Sequence, residues 1–348
     1  MLMTKHNAAA PPSGSDTRTK AAEAAADDDG AFLTDEPTGM DKPASCSASA
    51  WATPRSSGRG EATSLWQAQR RTPESSCFAP VDPEVTPDHI QMRQARDDIG
   101  FSPLRRAALA VVQVPTDFNM DSEAAFLIAK FPGVELRMQK ITGLGTDLCT
   151  PESFLPARKN IRDAAMALTP NDYCNVAGLA CTSMSFTLGP EIVDAELQIA
   201  HPNAHTLDMA RSQLKALRTM GCTNVGLVTP YIDLVHINNV KMLESGGDVT
   251  VAASVNLGLV KSEWSSMVDQ QTIIDAVQRT KAISKTPLDA VVIGCSALRV
   301  CVPGFITDLE STTGVNIVTS TQSFYWNCLR TGGVDDQIDG YGRLFSDF

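Results

Sequence analysis

From about residue 105 onward, short apolar runs alternate with segments of helical period. The runs predict strands over 107–114, 134–138, 176–180, 225–228, 249–255, 290–294 and 315–318. Runs that are apolar throughout suit strands buried on both faces, as in a parallel sheet. Between them, Leu207, Ala210, Leu214 and Leu217 share one face of a helix predicted over 206–220, which Gly221 ends as a C-cap. Ile273, Ile274, Val277 and Ile283 mark a second helix over 268–284, and shorter helices are expected over 121–131 and 158–168. Residues 1–104 carry almost no apolar run and are rich in Ala, Ser, Pro, Thr, Asp and Gly. Such a segment buries too little apolar surface to offset its ordering entropy, so a disordered extension is expected there, with a short helix near 87–97.

The strand pattern contains a repeat. Ala110-Val111-Val112-Gln113-Val114-Pro115 is matched by Val225-Gly226-Leu227-Val228-Thr229-Pro230, and Val176 to Ser183 by Val291 to Ala297. Pro115 precedes Cys181 by 66 positions and Pro230 precedes Cys295 by 65. Alternating strands and helices mean βαβ units. The fold expected is α/β: two pseudosymmetric three-layer αβα units with parallel sheets and the active-site cleft between them. The first half is placed at 105–205, completed by a C-terminal helix within 321–348, and the second at 206–320.

Composition and charge narrow the function. The 43% hydrophobic content can fill two cores over the folded residues. A net charge of −11 with no basic block excludes nucleic acid as the expected partner. No apolar run approaches the roughly 18 residues that span a bilayer, so no membrane partner is expected. The N-terminus lacks the apolar core of a secretory signal. Nine scattered cysteines without a Cys-x-x-Cys pair point to free thiols in a reducing compartment, hence a cytoplasmic location.

Two of those cysteines stand apart. Ligands of open α/β sheets bind beyond the carboxyl ends of the strands, and Cys181 and Cys295 both sit at such ends. A thiol is nucleophile and proton carrier, and a helix N-terminus lowers its pKa. Thr182-Ser183 and Ser296-Ala297-Leu298 are expected to open helices and to offer N–H and hydroxyl groups to a carboxylate. A site of this kind needs no metal and no organic cofactor. His201 and His205 form a His-x-x-x-His pair, but Pro202 lies inside it and no third ligand is near, so no metal is expected. Gly143-Leu144-Gly145 and Gly246-Gly247 read as turns, not as a dinucleotide loop. Asn119 is either a site residue or the cap of the helix that follows. Arg299 is either a carboxylate ligand or a tie between helix and sheet.

The strand–Cys181-Thr182-Ser183 element, Thr229-Pro230-Tyr231 and the strand–Gly294-Cys295-Ser296-Ala297-Leu298-Arg299 element resemble the aspartate/glutamate racemase superfamily. The similarity is to its branch of maleate cis–trans isomerases, arylmalonate decarboxylases and ectoine-utilisation proteins. The ending, Ser320 to Arg330 and then Gly340-Tyr341-Gly342-Arg343-Leu344-Phe345, agrees. The resemblance covers about residues 105–346.

It implies a cofactor-independent isomerase or racemase acting on a small (di)carboxylate. Cys181 is implied as nucleophile and Cys295 as general acid/base. Tyr231, Thr182, Ser183, Ser296 and Asn119 are implied as substrate-binding residues, and a homodimer is compatible with the family. Two alternatives stay open: an arylmalonate-type decarboxylase using Cys295 alone as proton donor, and a non-catalytic ligand-binding or scaffold member. Maleate isomerases place an asparagine three residues after the first-loop proline. Here Phe118 stands there, between Asp117 and Asn119, a form more like the decarboxylase or ectoine-utilisation members. An acidic Asp117 beside a dicarboxylate is unfavourable unless it turns away or is protonated.

Overall fold

The computed structural model describes residues 105–144, 151–168 and 173–348. The expected extension over 1–104, its short helix, and Cys46, Cys77 and Cys149 lie outside the described residues. The chain runs β1 (Ala107–Gln113), α1 (Met120–Ile128), β2 (Val134–Lys140), α2 (Pro151–Phe154), α3 (Arg158–Met166), β3 (Val176–Ala180), α4 (Thr182–Leu188), α5 (Pro190–Ala200) and β4 (His205–Asp208). It continues with α6 (Met209–Thr219), β5 (Asn224–Tyr231), α7 (Asp233–Glu244), β6 (Thr250–Leu259), a 3-10 helix (Ser262–Met267), α8 (Gln270–Ile283), β7 (Ala290–Ile293), α9 (Phe305–Thr313), β8 (Asn316–Thr319), α10 (Ser320–Thr331) and α11 (Arg343–Asp347).

The strands form two four-stranded sheets, ordered β2-β1-β3-β4 and β6-β5-β7-β8, parallel throughout. The two orders are one topology repeated, as the sequence repeat predicts. Burial explains which strands took which place. β1, β3 and β7 are buried at every position, while edge strands β2 and β6 are mostly half-exposed. Within β1, Ala107, Leu109 and Val111 join one core and Ala110, Val112 and Val114 the other, so both faces of the first sheet are covered. The first of these cores continues through α10 into the second sheet.

Three expectations are corrected. The helix predicted over 206–220 begins at Met209, because His205–Asp208 forms the edge strand β4 beside β3. Asp208 ends that strand and caps α6, its carboxylate accepting the Arg211 N–H at 2.8 Å. The strand predicted to stop before Pro230 runs on to Tyr231, with a register shift against β6 between Thr229 and Tyr231. Gly221 does terminate α6 with positive φ. The C-terminal stretch holds two helices, α10 and α11, where one was expected.

α10 is buried from Ser320 to Leu329 and lies against β3, β4, β8 and α6. Its seat on the first sheet depends on Gly178 in β3: a Cβ there would meet the Phe324 ring at 2.5 Å. Gly178→Val therefore overpacks the joint between α10 and β3. It should lower stability by about 1–3 kcal/mol, read as the shift in a urea unfolding midpoint.

Candidate active site

Equivalent central strands deliver the two thiols. Ala180, the last residue of β3, pairs with Gln113, and Cys181 follows it directly. Ile293, the last residue of β7, pairs with Val228, and Cys295 follows after Gly294. Both side chains are buried, at 4% and 7% exposure. The surroundings differ, however. Cys181 is extended (φ −154°, ψ 114°) and opens α4, its carbonyl accepting from the Ser185 N–H and hydroxyl at 3.0 and 2.7 Å. Its Sγ lies 3.6 Å from the Ser183 hydroxyl.

Cys295 does not open a helix. Residues 294–304 form turns, and α9 starts only at Phe305. The helix expected at Ser296 fails because Leu298, Val300 and Cys301 must all be buried, a spacing that one helix face does not provide. Pro303 also biases Val302 away from helical backbone. Gly294 is required by close approach, since a Cβ there would meet Asn239 Oδ1 at 2.6 Å.

Tyr231 ends β5, is buried, and meets the Phe186 ring of α4 edge-on at 6.4 Å. Thr182 donates its hydroxyl to Ser320 Oγ at 2.8 Å, so any hold on a carboxylate falls to its N–H group. Ser320 Oγ also accepts from Gln213 Nε2 at 3.0 Å and reaches the Ile293 carbonyl at 3.4 Å. The next residue, Thr321, reaches the Ser296 carbonyl at 3.5 Å. The start of α10 thus touches the segments that carry both thiols and turns its positive dipole end toward the strand ends.

Asn119 is not the side-chain cap of α1: its side chain makes no cap hydrogen bond. Nδ2 instead donates to the Ala297 carbonyl at 2.7 Å and to the Ser266 carbonyl at 3.1 Å, bridging to the second half. Asp117 caps α1, Oδ1 accepting the N–H groups of Asn119 and Met120 at 3.0 and 2.9 Å. Asp117 is fully buried, and burial pushes its carboxyl above the ordinary range, with the Ser296 hydroxyl partly countering. Burial disfavours its charged form, which lessens the objection to an acid beside an anionic substrate. Phe118 points outward, and its N–H donates to Ser266 Oγ at 3.1 Å.

Other sequence readings settle elsewhere. Arg299 is exposed. His201 is buried against the Ala165 carbonyl at 3.0 Å, and His205 is exposed on β4. The sequence reading does not single out Ser266, Ser320 or Thr321 as site residues, although Ser320 and Thr321 open the C-terminal segment that resembles the family. Only the packing of α10 and the 3-10 helix reveals them.

The arylmalonate decarboxylase family model matches residues 112–345. The chain belongs to the arylmalonate decarboxylase family. The arylmalonate decarboxylase of Bordetella bronchiseptica is 30% identical over 211 residues, which cover 59% of this chain and 85% of that protein. A doubly substituted arylmalonate decarboxylase in its liganded form superposes with a TM-score of 0.59 at 23% identity, covering 70% of this chain and all of that one. The maleate cis–trans isomerase of Nocardia farcinica, as a mutant carrying a covalently bound succinylcysteine intermediate, shares the fold. Its TM-score is 0.60 at 16% identity, over 70% of this chain and 99% of that one. The expected branch of the superfamily is borne out, and its enzymes of both expected reaction types share this architecture. Among the described residues no helix is long and apolar enough to cross a membrane.

The Asn119 bridge should hold this family member's two halves in register at the cleft. Asn119→Ala should cost about 1–3 kcal/mol. Asn119→Asp should cost more, because it sets carboxylate oxygens against two carbonyls. Urea unfolding of the two variants checks the order.

Proposed function

We propose that this chain is a cofactor-independent isomerase or racemase that works on a small carboxylate with two thiols. The observation that carries the reading is the placement of Cys181 and Cys295 at matching ends of β3 and β7, both buried. On a cis-enedioate the Cys181 thiolate adds to one alkene carbon, and the π electron pair moves toward the adjacent carboxylate. The Cys295 S–H protonates the other carbon. Rotation about the new single bond follows. Cys295 then removes a proton from that carbon, and the returning electron pair expels Cys181 as thiolate, leaving the trans alkene. On an α-chiral acid the same pair removes a proton on one face and returns one on the other.

In this reading Tyr231, with the N–H groups of Thr182, Ser183 and Ser296, holds the substrate carboxylate and the enolate-like intermediate. Asn119 serves by fixing the Ala297 carbonyl and hence the Cys295 segment. The succinylcysteine on the Nocardia farcinica isomerase supports covalent thiol addition within this fold.

A second reading has its own support in the family match and in the decarboxylase-like Asp117-Phe118 loop. In it a disubstituted malonate loses carbon dioxide, and the enediolate left behind takes its proton from Cys295.

A product-detecting screen over maleate, substituted malonates and N-acyl amino acids, run in deuterated water, separates the two. Cys181→Ala and Cys295→Ala should each reduce turnover by about 10²–10⁴-fold. Loss with Cys295→Ala alone selects the decarboxylase. Turnover untouched by both substitutions sinks the thiol mechanism.

A further inference from the structure

Behind the Cys295 segment lies a carboxyl that the mechanism above does not use. Glu123, in the first turn and a half of α1, is fully buried. It belongs to the first half, yet its Oε1 accepts the Cys301 N–H at 2.8 Å in the second. The Val300 N–H and the Thr321 hydroxyl also approach it, while Oε2 has no well-formed hydrogen bond. With Asn119 on the Ala297 carbonyl and Asp117 beside the Ser296 hydroxyl, three side chains of one short stretch grip successive points of residues 296–301. A buried carboxyl with one oxygen unmatched is costly, and a family of apolar residues could fill the same volume more cheaply.

We infer that Glu123 is a positioning residue: lodged across the joint between the halves, it fixes the Val300–Cys301 backbone and so sets the segment that carries the Cys295 thiol. The inference rests on the two-thiol reading for its consequence in catalysis, but not for the hold itself.

The donors that Glu123 accepts from favour its carboxylate, but burial disfavours that charge more strongly. Burial, with Asp117 nearby, raises the Glu123 carboxyl to about 8. The groups that face it are Asp117 from the β1–α1 loop, Cys301 from the β7–α9 segment, Thr321 from α10, and Tyr341 from the segment before α11. Tyr325 of α10 faces Asp117 and Cys301, and Lys140 donates to the Asp117 carbonyl while pairing with Asp121 at 2.9 Å. Tyr341, Tyr325 and Cys301 are all pushed upward, so none adds a further negative charge near neutral pH. The folded chain therefore holds the Glu123 proton more tightly than the unfolded chain does. Its contribution favours folding at low pH and fades as pH rises from about 4.5 to about 8. Above that range the buried charge favours opening of the segment, which lets water reach the carboxylate.

Amide hydrogen exchange on the full chain tests this, read by mass spectrometry over peptides covering 296–304 and corrected for intrinsic rate. A Cys295→Ser background removes the thiol's own titration. Protection should fall about tenfold between pH 7 and 8 with Glu123 present and level off above pH 8, as expected for the last unit below its pKa of about 8. Glu123→Gln, which keeps a neutral acceptor, should abolish the fall. Glu123→Leu should lose the protection at both pH values. With Cys295 restored, Glu123→Leu should lower kcat more than KM rises, and Glu123→Gln should recover most of it. Protection that is independent of pH, or equal in Glu123→Gln and native protein at pH 9, overturns the inference; both comparisons remain available if Glu123→Leu does not fold. A chain that turns over nothing yet shows the exchange pattern sinks the two-thiol reading and leaves the Glu123 role standing.

Discussion

The arrangement of the site rests on one buried polar helix. α10 is enclosed from Ser320 to Leu329, and five of those ten side chains are Ser, Thr, Gln or Asn. Buried polar groups stabilise only when matched. Here they are. Ser320 takes Thr182 and Gln213, and Thr321 reaches Ser296. Gln322 donates to the Tyr341 carbonyl at 2.6 Å, Ser323 to the Thr319 carbonyl at 2.7 Å, and Asn327 to Ser212 at 3.0 Å. A capping box between Thr319 and Gln322 fixes where the helix begins. That starting point decides which residue lies between the two thiol-bearing strands. A slip of one residue would put Thr321 where Ser320 now reads both Thr182 and the Ile293 carbonyl. The polar side chains thus specify a register, which an apolar helix of the same volume would leave less defined.

Carboxyl chemistry in the cleft follows from the same economy. An enzyme for anionic substrates gains nothing from ionised acids beside its thiols. Asp117 and Glu123 are close to the site in sequence and space, yet both are fully buried and both are shifted toward the neutral form. They act as hydrogen-bonding groups that hold loops, Asp117 on the N-terminus of α1 and Glu123 on the Cys301 amide. The sequence motif Asp117-Phe118-Asn119 looks like substrate-facing chemistry. In the structure the aspartate caps, the phenylalanine faces solvent and the asparagine bridges.

Much of this architecture was legible because parallel strands buried on both faces must be apolar throughout. β1, β3, β5 and β7 stood out for that reason, and the repeat placed Cys181 and Cys295 at equivalent strand ends. β4 was hidden because His205-Thr206-Leu207-Asp208 is short, polar and paired on one side only, so that Leu207 fitted the period of the following helix. The loop after Cys295 was misread because Ser-Ala-Leu is good helix-opening chemistry locally. Tertiary burial of Val300 and Cys301 overrode it. The roles of Ser320, Glu123 and Asn119 come from contacts spanning more than a hundred residues, and local pattern carries no trace of them.

The two thiols are therefore equivalent in topology and unequal in support. Cys181 is fixed by its own half: its carbonyl is bound within α4, and its neighbour Thr182 is tied to the start of α10. Cys295 sits on a non-helical segment gripped from the opposite half by Asn119, Asp117 and Glu123. In the proposed addition and elimination the nucleophile needs a fixed line of approach to one carbon, whereas the proton carrier must follow the other carbon through the bond rotation. Anchoring the Cys295 segment through the other half couples its position to the packing of the two halves. Duplication of one βαβ unit gives the pair of thiols, and the unequal loops that follow them give each thiol a different setting.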